Sequence, residues 1–152
     1  MSIKTQGTEL YFVDGAAVLK LTCPTGITGL GGARDQIETT CLDNLDDKTY
    51  ESGLGNPGQV SVPFVFKPAE ASQQALFDLH DAGTVTEWLI GFSDGTTAPT
   101  LVGDVLTIDD SRTSAKFDGF VSDVNIDVAT NEIVRGTMTI QRSGNVAWTW
   151  KA

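Results

Sequence analysis

Cysteine and histidine are scarce in this chain. Its 152 residues contain two cysteines, Cys23 and Cys41, and one histidine, His80. Two thiols and one imidazole fall short of the four ligands of a structural zinc site, so we expect no metal and no cofactor. We expect both cysteines to be reduced thiols, because nothing in the sequence indicates an oxidising compartment. A disulfide between them is the alternative.

Long apolar runs are also missing. No stretch approaches the roughly 18 apolar residues of a membrane-spanning helix. The first residues, 1–6, lead into no apolar segment of the kind found in a signal peptide. We therefore expect a chain that is made in the cytoplasm, stays soluble and has no membrane partner.

Positive charge is sparse. Ten Lys and Arg stand against twenty Asp and Glu, which gives a formal net charge of −10. Such a chain should repel DNA and anionic lipid, and it has no basic cluster with interleaved aromatics that would read a nucleic acid. It should also repel copies of itself, so any assembly needs apolar burial or backbone pairing, helped by salt screening.

Alternation of apolar and polar residues dominates the chain and predicts a mainly β fold. Residues 9–13 and 16–22 flank Asp14-Gly15, which favours a tight hairpin turn. Pro63 interrupts the strand at residues 60–66, which places that strand at an edge or at a bulge. With no repeat or linker, about eight strands and one helix form a single domain over residues 1–152.

Residues 68–82 form the one convincing helix of the sequence. Ala71, Ala75, Leu76, Leu79 and Ala82 form an apolar stripe, and Gly83 suits a left-handed end. We expect this helix to pack on one face of the sheet.

A long acidic segment at residues 42–58 is predicted to be a loop. It carries four acidic residues before a turn-rich run of glycines, and loops of this length are usually functional or disordered. Its carboxylates do not match a calcium loop, because Leu45 and Lys48 occupy the positions that need oxygen and glycine.

The last third of the chain predicts a hairpin of two long strands, residues 115–128 and 132–142, with a bend at Gly119. One face should be buried through Val134, Met138 and Ile140, and the opposite face is polar. Trp148 and Trp150 then alternate on one strand face. They either cap the core or anchor a neighbouring subunit, since tryptophan is frequent among interface hot spots.

Catalytic motifs do not hold together in this sequence. Residues 91–95 match the pattern of a hydrolase nucleophile elbow around Ser93, but poor helix formers follow and His80 precedes the serine. A β-turn is the better interpretation, and His80 suits the end of the helix. The glycines at 29–32 lack the Lys-Ser/Thr of a phosphate loop. We expect no enzyme.

The layout resembles the major tail tube protein of bacteriophages with long, non-contractile tails. The resemblance covers nearly the whole chain. It is carried by Gln36-Ile37-Glu38-Thr39-Thr40, the loop to Gly58, residues 59–66, the helix at 68–82, residues 88–95, Phe117-Asp118-Gly119-Phe120-Val121 and residues 137–144. It implies a two-layer β-sandwich or barrel-like domain with one helix. Contractile tails and type VI secretion tubes are similar in fold.

The resemblance further implies a structural virion protein of the phage tail. Copies would form stacked hexameric rings, and the hollow tube would conduct DNA without binding it specifically. Partners would be further copies and the tail tip or initiator, tape measure and terminator proteins. The alternative is a monomeric β-sandwich that binds a ligand such as carbohydrate.

Three sets of residues are candidates for these roles. The inter-ring candidates in the long loop are Asp43, Asp46, Asp47, Tyr50, Glu51 and Leu54. The lumen candidates on the polar hairpin face are Asp123, Asp127, Thr137, Thr139 and Gln141, although these side chains could simply face outer solvent. The interface anchor candidates are Trp148 and Trp150.

Overall fold

The computed structural model describes residues 2–152 and is mainly β, with ten strands and one helix among those residues. The strands are β1 Glu9–Asp14, β2 Ala17–Lys20, β3 Arg34–Glu38, β4 Tyr50–Gly55, β5 Gln59–Val65, β6 Thr86–Gly91, β7 Thr100–Val102, β8 Val105–Thr107, β9 Ser114–Asp127 and β10 Arg135–Thr149. The helix α1 is Ala71–Ala82. The mainly β fold with one helix is thus confirmed.

Six strands form one antiparallel sheet in the order β2-β1-β6-β9-β10-β5. The predicted hairpin at Asp14-Gly15 is confirmed, because β1 and β2 pair from Tyr11–Lys20 to Asp14–Ala17 and Gly15 has φ of +62°. Two separate hairpins, β3–β4 and β7–β8, complete the strands.

The sheet curls so that the strands at its two edges, β2 and β5, approach each other. Residues 23–28, which follow β2, lie along the outer edge of β5: Ser61 and Thr28 exchange backbone hydrogen bonds of 2.9 and 3.0 Å, and Val65 N donates to Cys23 O. Pro63 stands between these donors and only accepts there, from Thr25 N at 2.8 Å. The predicted edge position of Pro63 is therefore confirmed, and the fold is barrel-like with an unclosed sheet.

Helix α1 packs into the concave side of this sheet with Leu76 and Leu79 in the core. It begins three residues later than predicted, because residues 68–70 form a turn that Glu70 ends in an extended conformation. Its end is as predicted: Gly83 is left-handed and its N–H donates to Leu79 O at 3.0 Å. The predicted stripe is wrong at Ala71 and Ala82, which are exposed, while the polar Gln73 is buried instead.

Gln73 is buried because it satisfies backbone groups between the helix and the sheet. Its Nε2 donates to Thr22 O at 3.0 Å and Val65 O at 2.8 Å, and its Oε1 accepts from Lys67 N at 2.7 Å. Burial of this amide costs little free energy because all three hydrogen bonds are made. The bonds also fix α1 over the gap between the edge strands β2 and β5.

The predicted loop at residues 42–58 is wrong in its second half. Residues 50–55 form β4, which pairs antiparallel with β3 from Glu38–Tyr50 to Arg34–Gly55. The sequence did not predict this strand, because nearly all of its side chains are exposed and it shows no alternation of buried and exposed residues. Only residues 39–49 connect the two strands.

The long β9–β10 hairpin is irregular, and its bend lies at Ser122 rather than at Gly119. A register shift between Thr139 and Ile140 places Val121 in the core where alternation from Val124 would place Phe120. Gly119 has another role. A Cβ there would lie 2.7 Å from Gln141 O, and its own carbonyl accepts from Trp88 Nε1 at 3.1 Å.

The predicted strand at residues 101–109 is a small hairpin, β7–β8, turned at Gly103-Asp104, both with positive φ. Its Leu106 packs with Tyr11 and Leu89 on the convex side of the sheet. This second cluster covers the β1–β6 half of the convex side. The half formed by β5, β9 and β10 is left uncovered.

Candidate assembly surfaces

The uncovered convex side of β5, β9 and β10, here called the open face, carries mostly polar side chains. Register places neighbouring residues on the same side of the sheet: Asp123 opposite Thr139, Asn125 opposite Thr137, and Asp127 opposite Arg135. The open face therefore contains all five predicted lumen candidates, Asp123, Asp127, Thr137, Thr139 and Gln141. Side chains of Asp123 and Asp127 are exposed, and the other three are half-buried between neighbours.

Backbone edges beside the open face are unpaired. Strand β6 pairs with β9 only as far as Gly119, and no other described backbone group bonds the outer edge of residues 120–127. Strand β5 reaches only to Gln141 of β10, so β10 has a free outer edge beyond Arg142. The outer edge of β2 has no partner strand either. Free edges of this kind are ready to pair with another chain.

The hairpin β3–β4 with its connection, residues 34–55, forms an arm that projects from the domain. The five side chains of β3 are all exposed, as are Leu42, Leu45 and Leu54. The arm contains the six inter-ring candidates, Asp43, Asp46, Asp47, Tyr50, Glu51 and Leu54. Asp43, Asp46 and Asp47 lie in the arm tip, residues 39–49, and the other three lie on β4.

The arm tip is ordered by its own polar groups rather than by the core. Asn44 Nδ2 donates to Asp47 O at 2.9 Å, and Asp46 N donates to Asn44 Oδ1 at 3.1 Å. Thr49 N donates to Thr40 Oγ1 at 2.9 Å. Exposed leucines on an ordered, self-bonded tip have no contact that would explain them within one copy.

Three aromatic rings stack at the end of β10 and form an aromatic ladder. Phe92 and Trp148 have centroids 5.8 Å apart, and Trp148 and Trp150 lie 5.2 Å apart with an interplanar angle of 5°. The shared face predicted for the two tryptophans is confirmed. Trp148 is 41% and Trp150 67% exposed, so the ladder presents aromatic surface to the outside.

A buried arginine links the N-terminal segment to the end of β6 and to the loop that follows it. Arg112 is fully buried and donates to Gly91 O, Phe92 O, Gly7 O and Thr97 O at 2.7–3.0 Å, and to Glu9 Oε1 at 3.1 Å. Sequence reasoning missed it because charged residues are expected outside. Gly91 makes room for this side chain in the folded chain, because a Cβ there would lie 2.5 Å from Arg112 Cζ.

Glu9 is the acidic partner of this arginine and of a lysine. Burial tends to raise the pKa of Glu9, but hydrogen bonds from Lys20 and Arg112 outweigh it and hold the pKa below its usual value. The Lys20 Nζ to Glu9 Oε2 distance is 2.8 Å, and the same contact raises the pKa of Lys20.

The candidates for catalysis or metal binding in the sequence include Ser93 and the two cysteines. Ser93 is in a turn after β6, its Oγ donates to Lys4 O, and no helix follows it. The β-turn interpretation is therefore confirmed. Cys23 and Cys41 are exposed free thiols. Residues 2–152 contain no group of three metal-ligating side chains, and none of their helices is long and apolar enough to cross a membrane.

The fold defined by these elements is that of tail and injection tubes. The chain is similar to the SPP1 tail tube, with a TM-score of 0.71 and 12% identity over 98% of this chain and 80% of that chain. It is similar to the tail of an empty gene transfer agent particle, with a TM-score of 0.70 and 12% identity over 97% and 99% of the two chains. A PVC sheath-tube complex of an extracellular contractile injection system matches with a TM-score of 0.65, at 15% identity over 97% and 90%.

The chain belongs to the lambda-like phage tail tube family, whose model matches residues 1–152. It is also 35% identical to Structural protein 3 of Pseudomonas phage PAJU2 over 149 residues, which cover 93% of this chain and 90% of that protein. It is therefore a structural protein of the phage tail. The alternative of a monomeric binding module is wrong.

Proposed function

We propose that copies of this chain close into hexameric rings, that the rings stack, and that the resulting hollow tube conducts phage DNA at ejection. The observation that carries this proposal is the open face, a polar sheet surface bordered by unpaired strand edges. A sheet of this kind is complete only when neighbouring copies extend it.

Ring closure follows from two different edges on one copy. The outer edge of residues 120–127 can pair with a different edge of the next copy, which is a head-to-tail contact, and such a contact makes a ring when its rotation closes. Pairing would satisfy backbone groups and overcome the repulsion between copies of net charge −10. The C6 symmetry of the gene transfer agent tail supports a ring of six.

The open face is the candidate wall of the lumen. Asp123 and Asp127 project from it beside Thr137, Thr139 and Gln141, and the single arginine of that hairpin face is Arg135. Carboxylates on the wall repel phosphates, so DNA passes without adhering to it. Helix α1, which lies on the other side of the sheet, would then face outwards.

The arm is the candidate contact between rings. Its exposed leucines and carboxylates stand away from the core, and an apolar surface that one copy leaves exposed can be covered by another. The remaining partners are the tail tip or initiator, the tape measure protein and the terminator. The chain is made in the host cytoplasm and acts in the virion without catalysis.

Electron microscopy of purified protein over a concentration series tests this function. We expect hollow tubes or stacked rings of constant width above a critical concentration, and growth from tail-tip complexes added as seeds. Protein that stays monomeric at every concentration, even with seeds, would contradict the proposal.

A further inference from the structure

A cleft lies between the base of the arm and the last part of β10. Its volume is about 760 Å³, and its lining includes Gly31, Gly32, Arg34, Leu54, Arg142 and Trp148. Cavities of this size hold several side chains or a small ligand. Its lining combines two cations, an indole and a leucine, so it suits a partner that is both acidic and apolar.

One wall of the cleft holds a buried arginine with spare donors. Arg142 is only 5% exposed, and its Nη2 donates to Gly31 O. Its Nε finds no acceptor among residues 2–152. A buried guanidinium N–H without an acceptor costs free energy, and a carboxylate that accepts from a guanidinium edge is the usual remedy.

Matching groups lie on the arm tip. Asp43, Asp46 and Asp47 form no ion pair with the described residues, and Leu42 and Leu45 are almost completely exposed. None of the arm-tip residues lines the cleft of its own copy. Arg34 at the arm base lines that cleft. From there the five residues of β3 extend the arm by about 13 Å before the tip begins.

We propose that the cleft of each copy receives the acidic, leucine-bearing arm tip of a second copy. The inference rests on the proposed tube, and it names the surface that the arm occupies. Carboxylates of the tip accept from Arg142 and Arg34, and the leucines cover Trp148. The free edge of β10 beyond Arg142 runs beside the cleft and offers backbone groups to the same guest.

Cysteine cross-linking tests this docking with a native reporter, because Cys41 is exposed in the arm tip. In a Cys23→Ser background, Asn145→Cys adds a thiol to the cleft lining, and Thr130→Cys adds one to the turn between β9 and β10 as a control. We expect mild oxidation of tubes to join the Asn145→Cys subunits covalently and leave the control subunits separate. Tubes in which Asn145→Cys stays unlinked would overturn the docking while the tube itself stands.

If the cysteine variant does not assemble, removal of negative charge from the arm tip tests the docking instead. Asp43→Asn, Asp46→Asn and Asp47→Asn together remove three charges from the tip. Asp78→Asn, Asp104→Asn and Asp110→Asn remove three exposed charges that form no ion pair with the described residues, so both variants change from −10 to −7.

The two variants should move the critical concentration for tube growth differently. We expect the tip variant to raise it by at least about tenfold, because it loses ion pairs. The matched variant should leave it unchanged or lower it, because it loses only repulsion. Equal behaviour of the two variants would overturn the docking, whereas absence of tubes from the native chain would instead sink the proposed function.

Discussion

Side chains that stabilise one copy are distinct from those left for assembly. Arg112 and Gln73 are buried, and their polar atoms bond mainly to backbone groups. Trp150 and Leu45 are exposed and touch little of the core. Substitutions at single residues can therefore separate the stability of the monomer from the ability to assemble.

Acid should destabilise the monomer partly through Glu9. Because its pKa is lower in the folded chain than the ordinary 4.5, its stabilising contribution is complete above about pH 4.5 and is lost as pH falls through the folded pKa. Glu9→Gln should lower the free energy of unfolding at pH 7 by about 2 kcal/mol and flatten its decline in acid. Urea unfolding at pH 7 to 3 measures both effects.

The exposed Glu132→Gln is the control for this experiment and should keep the wild-type decline. Some decline should remain in Glu9→Gln, because a hydrogen bond from Thr113 also lowers the pKa of Asp94. An acid dependence in Glu9→Gln that equals that of wild type would show that the Glu9 contacts do not stabilise the fold.

Trp150 should matter more to assembly than to folding. In Trp150→Ala, the loss of one stacked pair should cost the monomer no more than about 1.5 kcal/mol. If the aromatic ladder anchors a neighbouring copy, the critical concentration should rise by roughly thirtyfold, as for an interface hot spot. Trp150→Phe keeps an aromatic ring, so its critical concentration should lie between those of wild type and Trp150→Ala. Normal assembly by Trp150→Ala would restrict the ladder to a local role.

At the scale of elements, predictability follows burial. Strand β5 could be located because its buried residues, Val60, Val62 and Phe64, alternate with period two. Helix α1 could be located because its buried Leu76 and Leu79 follow the helical period. Strand β4 could not, since pairing with β3 rather than burial makes it a strand. The position of the bend, at Ser122, could not be predicted, because a β-bulge depends on the hydrogen bonds between both strands and not on one residue type.

The candidate surfaces were predictable to different extents for the same reason. Alternation located the open face with its aspartates, and the i, i+2 spacing of Trp148 and Trp150 located the ladder. The cleft was not predictable, because Gly31 and Arg142 are 111 positions apart and meet only through tertiary structure.

The arm should be dispensable for folding and required for assembly. Replacing residues 39–49 by Asn-Gly would join Glu38 and Tyr50, which are already paired, through a tight turn. The variant should keep the circular dichroism spectrum and the unfolding free energy of wild type within about 0.5 kcal/mol, since no core contact is lost. Electron microscopy should find no tubes. Full-length tubes from this variant would remove the arm from the ring-to-ring contact.

At the scale of the whole molecule, the distribution of charge assigns the two sides of the sheet. Asp123→Lys with Asp127→Lys should leave tubes intact but slow DNA release from complemented particles, because cations on the wall would attract phosphates. Asp78→Lys with Asp81→Lys makes the same change of charge on the exposed side of α1 and should leave release at the wild-type rate. Equal release by both variants would count against a lumen at the open face.

A tube built from this chain has one requirement that no monomer measurement tests: the open face must point inwards. A cryo-electron microscopy map of assembled tubes measures this directly. We predict rings of six copies with Asp123, Thr137 and Thr139 on the lumen wall and α1 towards the outside. Tubes lined by α1, or an assembly without closed rings, would contradict the account.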